Sequence, residues 1–210
     1  MTPEALSKIL QAVLLACGKA MTVDQLLAIF GIEDDVNHEK MVQALDVLAL
    51  RLDGSALELV QIASGFRLQV RAEFGVYVSR LWEERPQKYS RALLETLALI
   101  AYRQPITRGE IEDIRGVAVS SQIIRTLQER EWVRVAGHRD VPGRPALLVT
   151  TRQFLDAFGL KRLSDLPSLA ALRDLDQINA ELNLTEAGQD EPPGLMMAKH
   201  AQPHNDFQVD

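Results

Sequence analysis

An internal repeat constrains the fold of this chain more than any other feature of its sequence. When the sequence is shifted by about 85 positions, apolar residues and a glycine near its start coincide with residues of the same kind further along. The matched pairs are Ile9 with Leu94, Leu14 with Leu99, Ala16 with Ala101, Met21 with Ile106, Leu26 with Ile111, Ile29 with Ile114, and Gly31 with Gly116. The sequence therefore predicts two copies of one structural unit.

Both copies carry the same signal for the start of a helix. Thr22 is followed by Gln25, and Thr107 is followed by Glu110 at the same spacing. This is the pattern of a capping box, in which the threonine hydroxyl accepts from an early backbone N–H of the helix. The Gln or Glu side chain in turn accepts from the N–H of the threonine. A short capped helix is therefore predicted in each copy.

The capped helix of each copy is followed by a stop signal and a further helix. Gly31 and Gly116 suit the left-handed conformation at the end of a helix, so both are predicted to terminate it. Apolar residues three and four apart then predict a third helix over about residues 37–52 in the first copy and about 120–131 in the second.

After the third helix, the spacing of apolar residues changes from the helical period to two. This alternation predicts a β-hairpin over residues 57–70 in the first copy and 132–150 in the second. Three helices followed by a hairpin form a winged helix-turn-helix. The predicted fold class is therefore mainly α with small β-hairpins, arranged as two tandem winged helix-turn-helix domains.

The predicted domain organisation covers the whole chain in four segments. They are an N-terminal winged-helix domain at 1–84, a linker at 85–90, a C-terminal winged-helix domain at 91–167, and an acidic, partly disordered tail at 168–210. Shorter helices are also predicted at 73–82, at 152–160 and, within the tail, at 168–184. Two prolines and little periodicity predict disorder after about residue 185.

The charge of the chain argues against a protein that coats nucleic acid. The formal net charge is −6, distributed as −3 over residues 1–88, +4 over 89–162 and −7 over 163–210. No apolar run approaches the roughly 20 residues that a membrane span needs, and the N-terminus lacks the pattern of a secretory signal. We expect a cytoplasmic protein that makes no membrane contact.

The sequence carries no recognisable catalytic or metal-binding motif. Phosphate-binding glycine loops and the nucleophile elbow GxSxG are absent. His200 and His204 have the spacing of a helical metal pair, but they flank Pro203 and have no third ligand. Cys17, the single cysteine, excludes an internal disulfide and is expected to be buried and inert. We predict neither an enzyme nor a cofactor.

The turn of the second hairpin, residues 138–145, is the most distinctive segment. Pro142 presets φ and Gly143 tolerates positive φ, so the two together predict a tight turn. Arg139, Asp140 and Arg144 then lie at its tip. They either stabilise the turn through a pair between Asp140 and an arginine, or they present a binding edge; the two interpretations are compatible.

The third helix of the second copy has polar residues that suit two roles. It is predicted to expose Ser120, Ser121, Gln122, Arg125 and Gln128, near Arg108, Arg115 and Arg139. Such a set could contact DNA bases or phosphates, but it also describes an ordinary solvated helix face. A local excess of about four positive charges supports only weak, salt-sensitive DNA binding. We therefore favour the solvated face.

One face of the short capped helix differs between the copies. The second copy has charged residues there, namely Arg108, Glu112, Asp113 and Arg115, where the first has Val23, Leu27, Ala28 and Phe30. A contiguous apolar surface of this kind usually marks an interface. We favour self-association of the first domain, for which a two-fold dimer is the commonest arrangement. The alternative is that the predicted helix at 73–82 folds back over this surface.

The second half of the sequence resembles the ScpB family, the segregation and condensation protein B of bacteria. The resemblance rests on three strings, ALLETLALIAYRQPITRGEIEDIRGV, IIRTLQEREWVRVAGHRDVPGRPALLVTT and FLDAFGLKRLSDLP. It is close over about residues 91–167 and extends to the first domain mainly in pattern. It implies two winged-helix domains that contact proteins, with the N-terminal domain forming a homodimer.

The same resemblance implies the partners of the chain. ScpB-like proteins bind the kleisin ScpA, which bridges the ATPase SMC, and the complex compacts and segregates chromosomes. The residues we expect to contact the kleisin are Arg103, Arg115, Arg139, Asp140, Pro142, Gly143, Arg144 and Pro145. Weak or indirect contact with DNA would involve Arg108, Ser121, Gln122 and Arg125. The competing interpretation is a transcription regulator that binds DNA through its second domain.

Overall fold

The computed structural model describes residues 1–81 and 89–168 of the chain. We refer to these two ranges as the first half and the second half. Most of the predicted linker at 85–90, all but the first residue of the predicted tail at 168–210, and both histidines of the tail lie outside the described residues. The described part is mainly helical with small antiparallel sheets, as predicted.

The first half consists mainly of three helices and a hairpin. These are α1 (Pro3–Cys17), α2 (Val23–Leu27), α3 (His38–Arg51), β1 (Leu57–Ile62) and β2 (Gly65–Val70). Each helix begins after a residue whose side chain accepts a backbone hydrogen bond, namely Thr2, Thr22 and Asn37. β1 and β2 pair antiparallel, with Leu57 opposite Val70.

The first half has a hydrophobic core between α1, α2 and α3. Leu6, Leu10 and Leu14 recur every four residues and therefore share one face of α1, which is buried. The buried core residues are Leu6, Leu10, Leu14, Leu26, Met41, Ala44, Leu45, Leu48 and Leu52. The expectation that Cys17 is buried is wrong: it is exposed, because the buried stripe ends at Leu14, one turn before the helix does.

Residues 72–81 do not form the single helix predicted at 73–82. Two 3-10 turns, Ala72–Phe74 and Ser79–Leu81, flank the short helix α4 (Gly75–Val78). Glycine and the β-branched valines of α4 have low helix propensity, and no side chain caps its start. None of residues 72–81 is buried or packs against the core of the first half. Within the described residues, this segment therefore does not cover Val23, Leu27 and Phe30.

The second half repeats the order of helices and adds a strand. It contains α5 (Arg91–Arg103), β3 (Ile106–Thr107), α6 (Arg108–Arg115), α7 (Ser121–Glu129), β4 (Val133–His138), β5 (Ala146–Thr150) and α8 (Arg152–Ala157). The strands form an antiparallel sheet in the order β3-β5-β4, with a register shift between Val135 and Gly137. Because β3 directly precedes α6, the sheet fixes the position at which α6 begins.

The core of the second half combines aliphatic and aromatic side chains. Its buried residues are Leu93, Leu97, Ile100, Ala101, Ile106, Ile111, Val119, Leu127, Trp132, Val133, Leu148, Phe154 and Ala157. The Trp132 ring lies 5.2 Å from Tyr89 and 5.3 Å from Phe158 between centroids. Aromatic pairs at these distances add to the stabilisation from burial and attach α8 to the rest of the half.

Both predicted capping boxes are confirmed, whereas one of the two predicted glycine stops is wrong. The Thr22 and Thr107 caps have both of their reciprocal hydrogen bonds. Gly116 ends α6 with φ of +70°. Gly31 has φ of −81°, because α2 has already ended at Leu27. The Gly31 N–H instead donates to Asp34 Oδ2 at 2.8 Å, which starts a 3-10 turn.

Candidate protein-binding surfaces

The loop between β4 and β5, residues 139–145, is a tight turn. We call it the second wing loop. The Arg139 N–H donates to the Pro145 carbonyl at 2.9 Å, and the Arg144 N–H donates to the Val141 carbonyl at 2.8 Å. Gly143 has φ of +84°, as the Pro-Gly pair predicts, and Arg144 also has positive φ. These two bonds close the loop and fix the direction of its tip.

An ion pair attaches the second wing loop to α6. Arg139 Nη1 lies 2.6 Å from Glu110 Oε1, and the other oxygen of Glu110 accepts from the Thr107 N–H at 2.8 Å. The hydrogen bond from the Thr107 backbone, the bond from its hydroxyl and the charge of Arg139 together hold the pKa of Glu110 below its usual value. The capping carboxylate of α6 thus also orients the wing.

Of the two interpretations of the loop tip, the pair between Asp140 and an arginine does not form within the described residues. Arg139 pairs with Glu110, and neither Asp140 nor Arg144 forms a side-chain hydrogen bond or ion pair within residues 1–81 and 89–168. Asp140, Pro142, Gly143 and Arg144 are exposed, while Pro145 is partly buried. The loop therefore presents one negative and one positive side chain on a closed turn, each unpaired within the described part of the chain.

A shallow cleft lies beside the second wing loop and shares Glu110 with it. The cleft has a volume of about 320 Å³, and it is lined by Arg103, Pro105, Ile106, Glu110, Asp113 and Ile114. Ile114 is exposed, whereas Ile106 is buried in the core. The lining of the cleft thus combines apolar side chains with one cation and two carboxylates. Arg103 is exposed there, as the sequence predicts for a contact residue.

Arg115 does not join this surface. Its side chain is only 11% exposed, and its Nη2 lies 3.0 Å from Glu95 Oε2 on α5. Its Nη1 also donates to Thr96 Oγ1 at 3.4 Å. Hydrogen bonds from Arg91 and then Arg115 hold the pKa of Glu95 below its usual value. Arg115 therefore ties α6 to α5, and its guanidinium group is engaged inside the fold rather than free for a partner.

The residues considered for DNA contact have side-chain partners on α6 and α7. Arg108 Nε lies 3.0 Å from Glu112 Oε1, and its Nη1 donates to Ser121 Oγ at 3.0 Å. Arg125 Nε lies 2.8 Å from Glu129 Oε1. Gln122 donates to Thr126 at 3.3 Å. Each arginine of this face is thus neutralised by a carboxylate one helical turn away, which agrees with the solvated helix face that the sequence favours.

Apolar residues in α2 and directly after it are only partly buried in the first half. Val23, Leu27 and Phe30 are half-buried and pack against its core. The two isoleucines that follow are more exposed: Ile29 is exposed over about half of its surface, and Ile32 is fully exposed. Ile32 was not included in the sequence prediction because Gly31 was treated as the end of the capped helix and only residues before that glycine were compared. The signal available in the sequence was the position of Ile32, an apolar residue directly after Gly31.

Comparison with known proteins identifies the family. The family model described as segregation and condensation complex subunit ScpB matches residues 8–169. The chain belongs to the ScpB family. The match includes nearly all the described residues of both halves, so the residues of the candidate surfaces described above fall within the region that the family model matches.

Individual ScpB relatives agree with the family match over most of the chain. A segregation and condensation protein B homolog from Coxiella burnetii is 47% identical over 173 residues, which is 82% of this chain and 83% of the relative. Segregation and condensation protein B from Bacillus subtilis is 37% identical over 177 residues, which is 84% of this chain and 88% of the relative. A crystal structure of ScpB from Mycobacterium tuberculosis is 33% identical, with 76% of this chain and 98% of that chain covered and a TM-score of 0.35.

This ScpB-family chain was also examined for groups of metal-binding side chains and for helices that could cross a membrane. Within the part of the chain that the structure describes, no three His, Cys, Asp or Glu residues are grouped so that they could hold a metal ion. Over the same residues, no helix has the length and apolar character that crossing a membrane requires. His200 and His204 lie outside the residues searched.

Proposed function

We propose that this chain is a non-enzymatic subunit of a bacterial SMC–ScpA–ScpB complex that acts in chromosome condensation and segregation. In this proposal it forms a homodimer, binds the kleisin ScpA and reaches the ATPase SMC through ScpA. It works in the cytoplasm, associated with the nucleoid, and carries no cofactor. The observation that carries the proposal is the ScpB family match over residues 8–169, which takes in both halves of the chain.

The two halves act in this proposal as winged-helix domains. Each has three helices followed by an antiparallel hairpin, which is the order of elements in a winged helix-turn-helix. The domains span residues 1–84 and 91–167, joined by a linker at 85–90 and followed by an acidic tail at 168–210. The tail at 168–210 carries a net charge of −6, which suits a role away from nucleic acid.

The kleisin-binding surface in this proposal consists of the second wing loop and the cleft beside it. Asp140 and Arg144 are exposed without a charged partner in the described part of the chain, so binding does not have to break an existing ion pair. Arg103 and Ile114 extend the surface along the cleft. Such a combination suits a peptide segment that carries apolar side chains next to charged ones.

Five residues support this surface indirectly or only in part. Arg139 orients the loop through Glu110, and Pro142 and Gly143 set its turn. Arg115 contributes by holding α6 in place, since its guanidinium already contacts Glu95. Pro145 accepts the hydrogen bond that closes the loop. We therefore propose Arg103, Asp140 and Arg144 as the charged groups that contact ScpA directly.

The alternative of a DNA-binding transcription regulator is less well supported. Its candidate residues Arg108 and Arg125 each pair with a glutamate on their own helix, so little unpaired positive charge remains to replace the counterions of DNA. Any association with DNA is then weak, or indirect through the assembled complex. Ser121 and Gln122 are exposed but already have side-chain partners.

An affinity measurement with matched charge reversals tests the kleisin surface. We expect Arg144→Glu to weaken binding of purified ScpA by about tenfold or more in isothermal titration calorimetry, because an arginine at an interface centre is a frequent hot spot. Arg125→Glu makes the same change of charge on α7 and should leave the affinity unchanged. Equal affinities for both variants and the wild type would place the kleisin elsewhere. Circular dichroism checks that each variant is folded.

A further inference from the structure

The turn of the first hairpin contacts the last helix of the second half. The Ser64 N–H donates to Asp156 Oδ1 at 2.9 Å, and the Ser64 hydroxyl donates to Asp156 Oδ2. The Ala63 N–H donates to the Leu160 carbonyl at 2.9 Å. Arg152 Nε donates to the Ala63 carbonyl at 3.1 Å. Four hydrogen bonds therefore join residues that lie about 90 positions apart in the sequence and in different halves of the chain.

Two neighbouring side chains show that this contact excludes water. Ile62 is only 4% exposed, yet it belongs to neither of the two cores. Burial lowers the pKa of the Arg67 guanidinium, and the negative charge of Asp156 opposes that effect. The Arg67 Nε is buried without a hydrogen-bond partner. The Ile62 side chain and the Arg67 Nε are thus removed from solvent where the first hairpin meets α8.

We propose that Ala63, Ser64, Arg152, Asp156 and Leu160 form a latch that holds the two halves in one relative orientation and opens without unfolding either of them. The halves have separate cores, so separating them exposes only the surface of the contact itself. The bonds are polar, and water replaces them when the latch opens. The latch rests on these contacts alone and does not depend on the identity of any partner.

The latch has a consequence for the surfaces described above. When it is closed, it fixes the direction of α8 and of the sheet that carries the second wing loop relative to the hairpin of the first half. When it is open, only the covalent connection through residues 82–88 joins the halves. A partner that contacts both halves then binds with an affinity that depends on the fraction of latched molecules.

Amide hydrogen exchange measured by NMR on the full chain tests the latch. The reporter is the Ala63 N–H, because it bonds to Leu160 and not to Asp156. In the wild type we expect this amide to exchange more slowly than in a free peptide but faster than core amides such as those of Leu48 and Leu127. Exchange at the free-peptide rate would show that the contact does not form. Exchange at the core rate would show that it does not open separately.

Replacement of Asp156 extends this measurement. Asp156→Ala should raise the exchange rate of the Ala63 amide by about tenfold or more, while the Leu48 and Leu127 amides keep their protection. Glu129→Ala removes a carboxylate from α7 and should leave Ala63 unchanged. If Ala63 stays protected in Asp156→Ala, the latch as proposed is wrong. Protected core amides confirm that the variant is folded.

A disulfide provides a second test that does not weaken the contact. In a Cys17→Ser background, Ser64→Cys combined with Asp156→Cys should form a bond within one chain on mild oxidation, seen by mass and by loss of free thiols. The pair Ser64→Cys with Ser121→Cys, whose second position contacts α6, should remain reduced. A disulfide between two chains, or none, would overturn a latch formed within one chain.

Discussion

Gly65 is the residue at which the first half leaves no room for a side chain. It has φ of +125°, and a Cβ built on it would lie 2.2 Å from the Met21 carbonyl oxygen. The close approach exists because Met21 and Phe66 exchange backbone hydrogen bonds of 2.9 and 2.8 Å, which attach the hairpin to the start of α2. Backbone atoms cannot move aside as a flexible side chain can, so this position requires glycine.

Two Gly→Ala substitutions should therefore change stability in opposite directions. Gly65→Ala should lower the free energy of unfolding by about 3 kcal/mol, because it combines a strained φ with a backbone clash. Gly109→Ala, in α6 with open space around its Cβ, should raise that free energy by about 0.5 kcal/mol. Urea unfolding followed by circular dichroism measures both. A Gly65→Ala variant as stable as the wild type would contradict the contact with Met21.

At the residue scale, the sequence correctly predicted contacts between residues that are close together in the chain. The capping boxes of Thr22 and Thr107 are confirmed because both partners lie three residues apart. The sequence did not predict the environments of Asp140 and Arg115, because these environments depend on residues from other elements. Arg139 pairs with Glu110 rather than with its neighbour, and Arg115 turns toward α5. Sequence spacing alone contains no information on such distant partners.

At the scale of elements, the spacing of apolar residues predicted a helix correctly where that helix buries one face. α3 and α7 have apolar residues at helical spacing, and both lie close to the predicted ranges of about 37–52 and about 120–131. The segment at 72–81 has a similar spacing but no buried face, and it breaks into short turns. The latch between the first hairpin and α8 was also not predicted, since it consists of polar contacts at a turn.

Helix α6 should make the stability of the chain sensitive to acid. The pKa of Glu110 lies below its usual value of 4.5, first because of the Thr107 backbone N–H. That of Glu112 is lowered first by the Val119 N–H. A carboxylate with a lowered pKa in the folded state stabilises above its unfolded pKa, and this contribution is lost as the pH falls through the folded value. The free energy of unfolding should therefore decrease as the pH falls below about 4.5.

The substitution Glu110→Gln separates the effect of the titrating carboxylate from its effect as the capping side chain of α6. Gln25 caps α2 in the first half, so a glutamine at position 110 should preserve the helix start while removing the charge. We expect a shallower dependence of unfolding free energy on pH between about 3 and 5 than in the wild type, measured by urea unfolding at several pH values. An unchanged slope would mean that Glu110 does not contribute to the acid sensitivity.

At the scale of the whole molecule, the two halves carry different kinds of surface. The second half presents charged side chains on the second wing loop and along the cleft. The first half exposes Ile29 and Ile32 beside the partly buried Val23, Leu27 and Phe30. Contiguous apolar surface favours a permanent contact, whereas a charged surface suits recognition of a separate partner. This division is the basis for placing the homodimer contact on the first half.

The dimer proposal predicts that Ile32→Glu yields a monomer. Ile32 is fully exposed in the single chain, so its replacement costs the folded monomer little. In a dimer that buries this surface, the glutamate would lose its hydration without gaining a partner, which opposes association. Phe30→Glu should also disrupt the dimer but is a less specific test, because Phe30 packs against its own core. Light scattering on the purified full chain measures the mass directly.

Ile114→Glu is the matched control, since it makes the same substitution at an exposed isoleucine of the second half. It should leave the mass of the dimer unchanged and weaken ScpA binding instead, because Ile114 lines the cleft. If Ile32→Glu keeps the mass of a dimer while its circular dichroism matches the wild type, the contact does not involve the loop after α2. If Ile114→Glu is the variant that becomes monomeric, the second half carries the dimer contact and the two surfaces have been assigned in the wrong order.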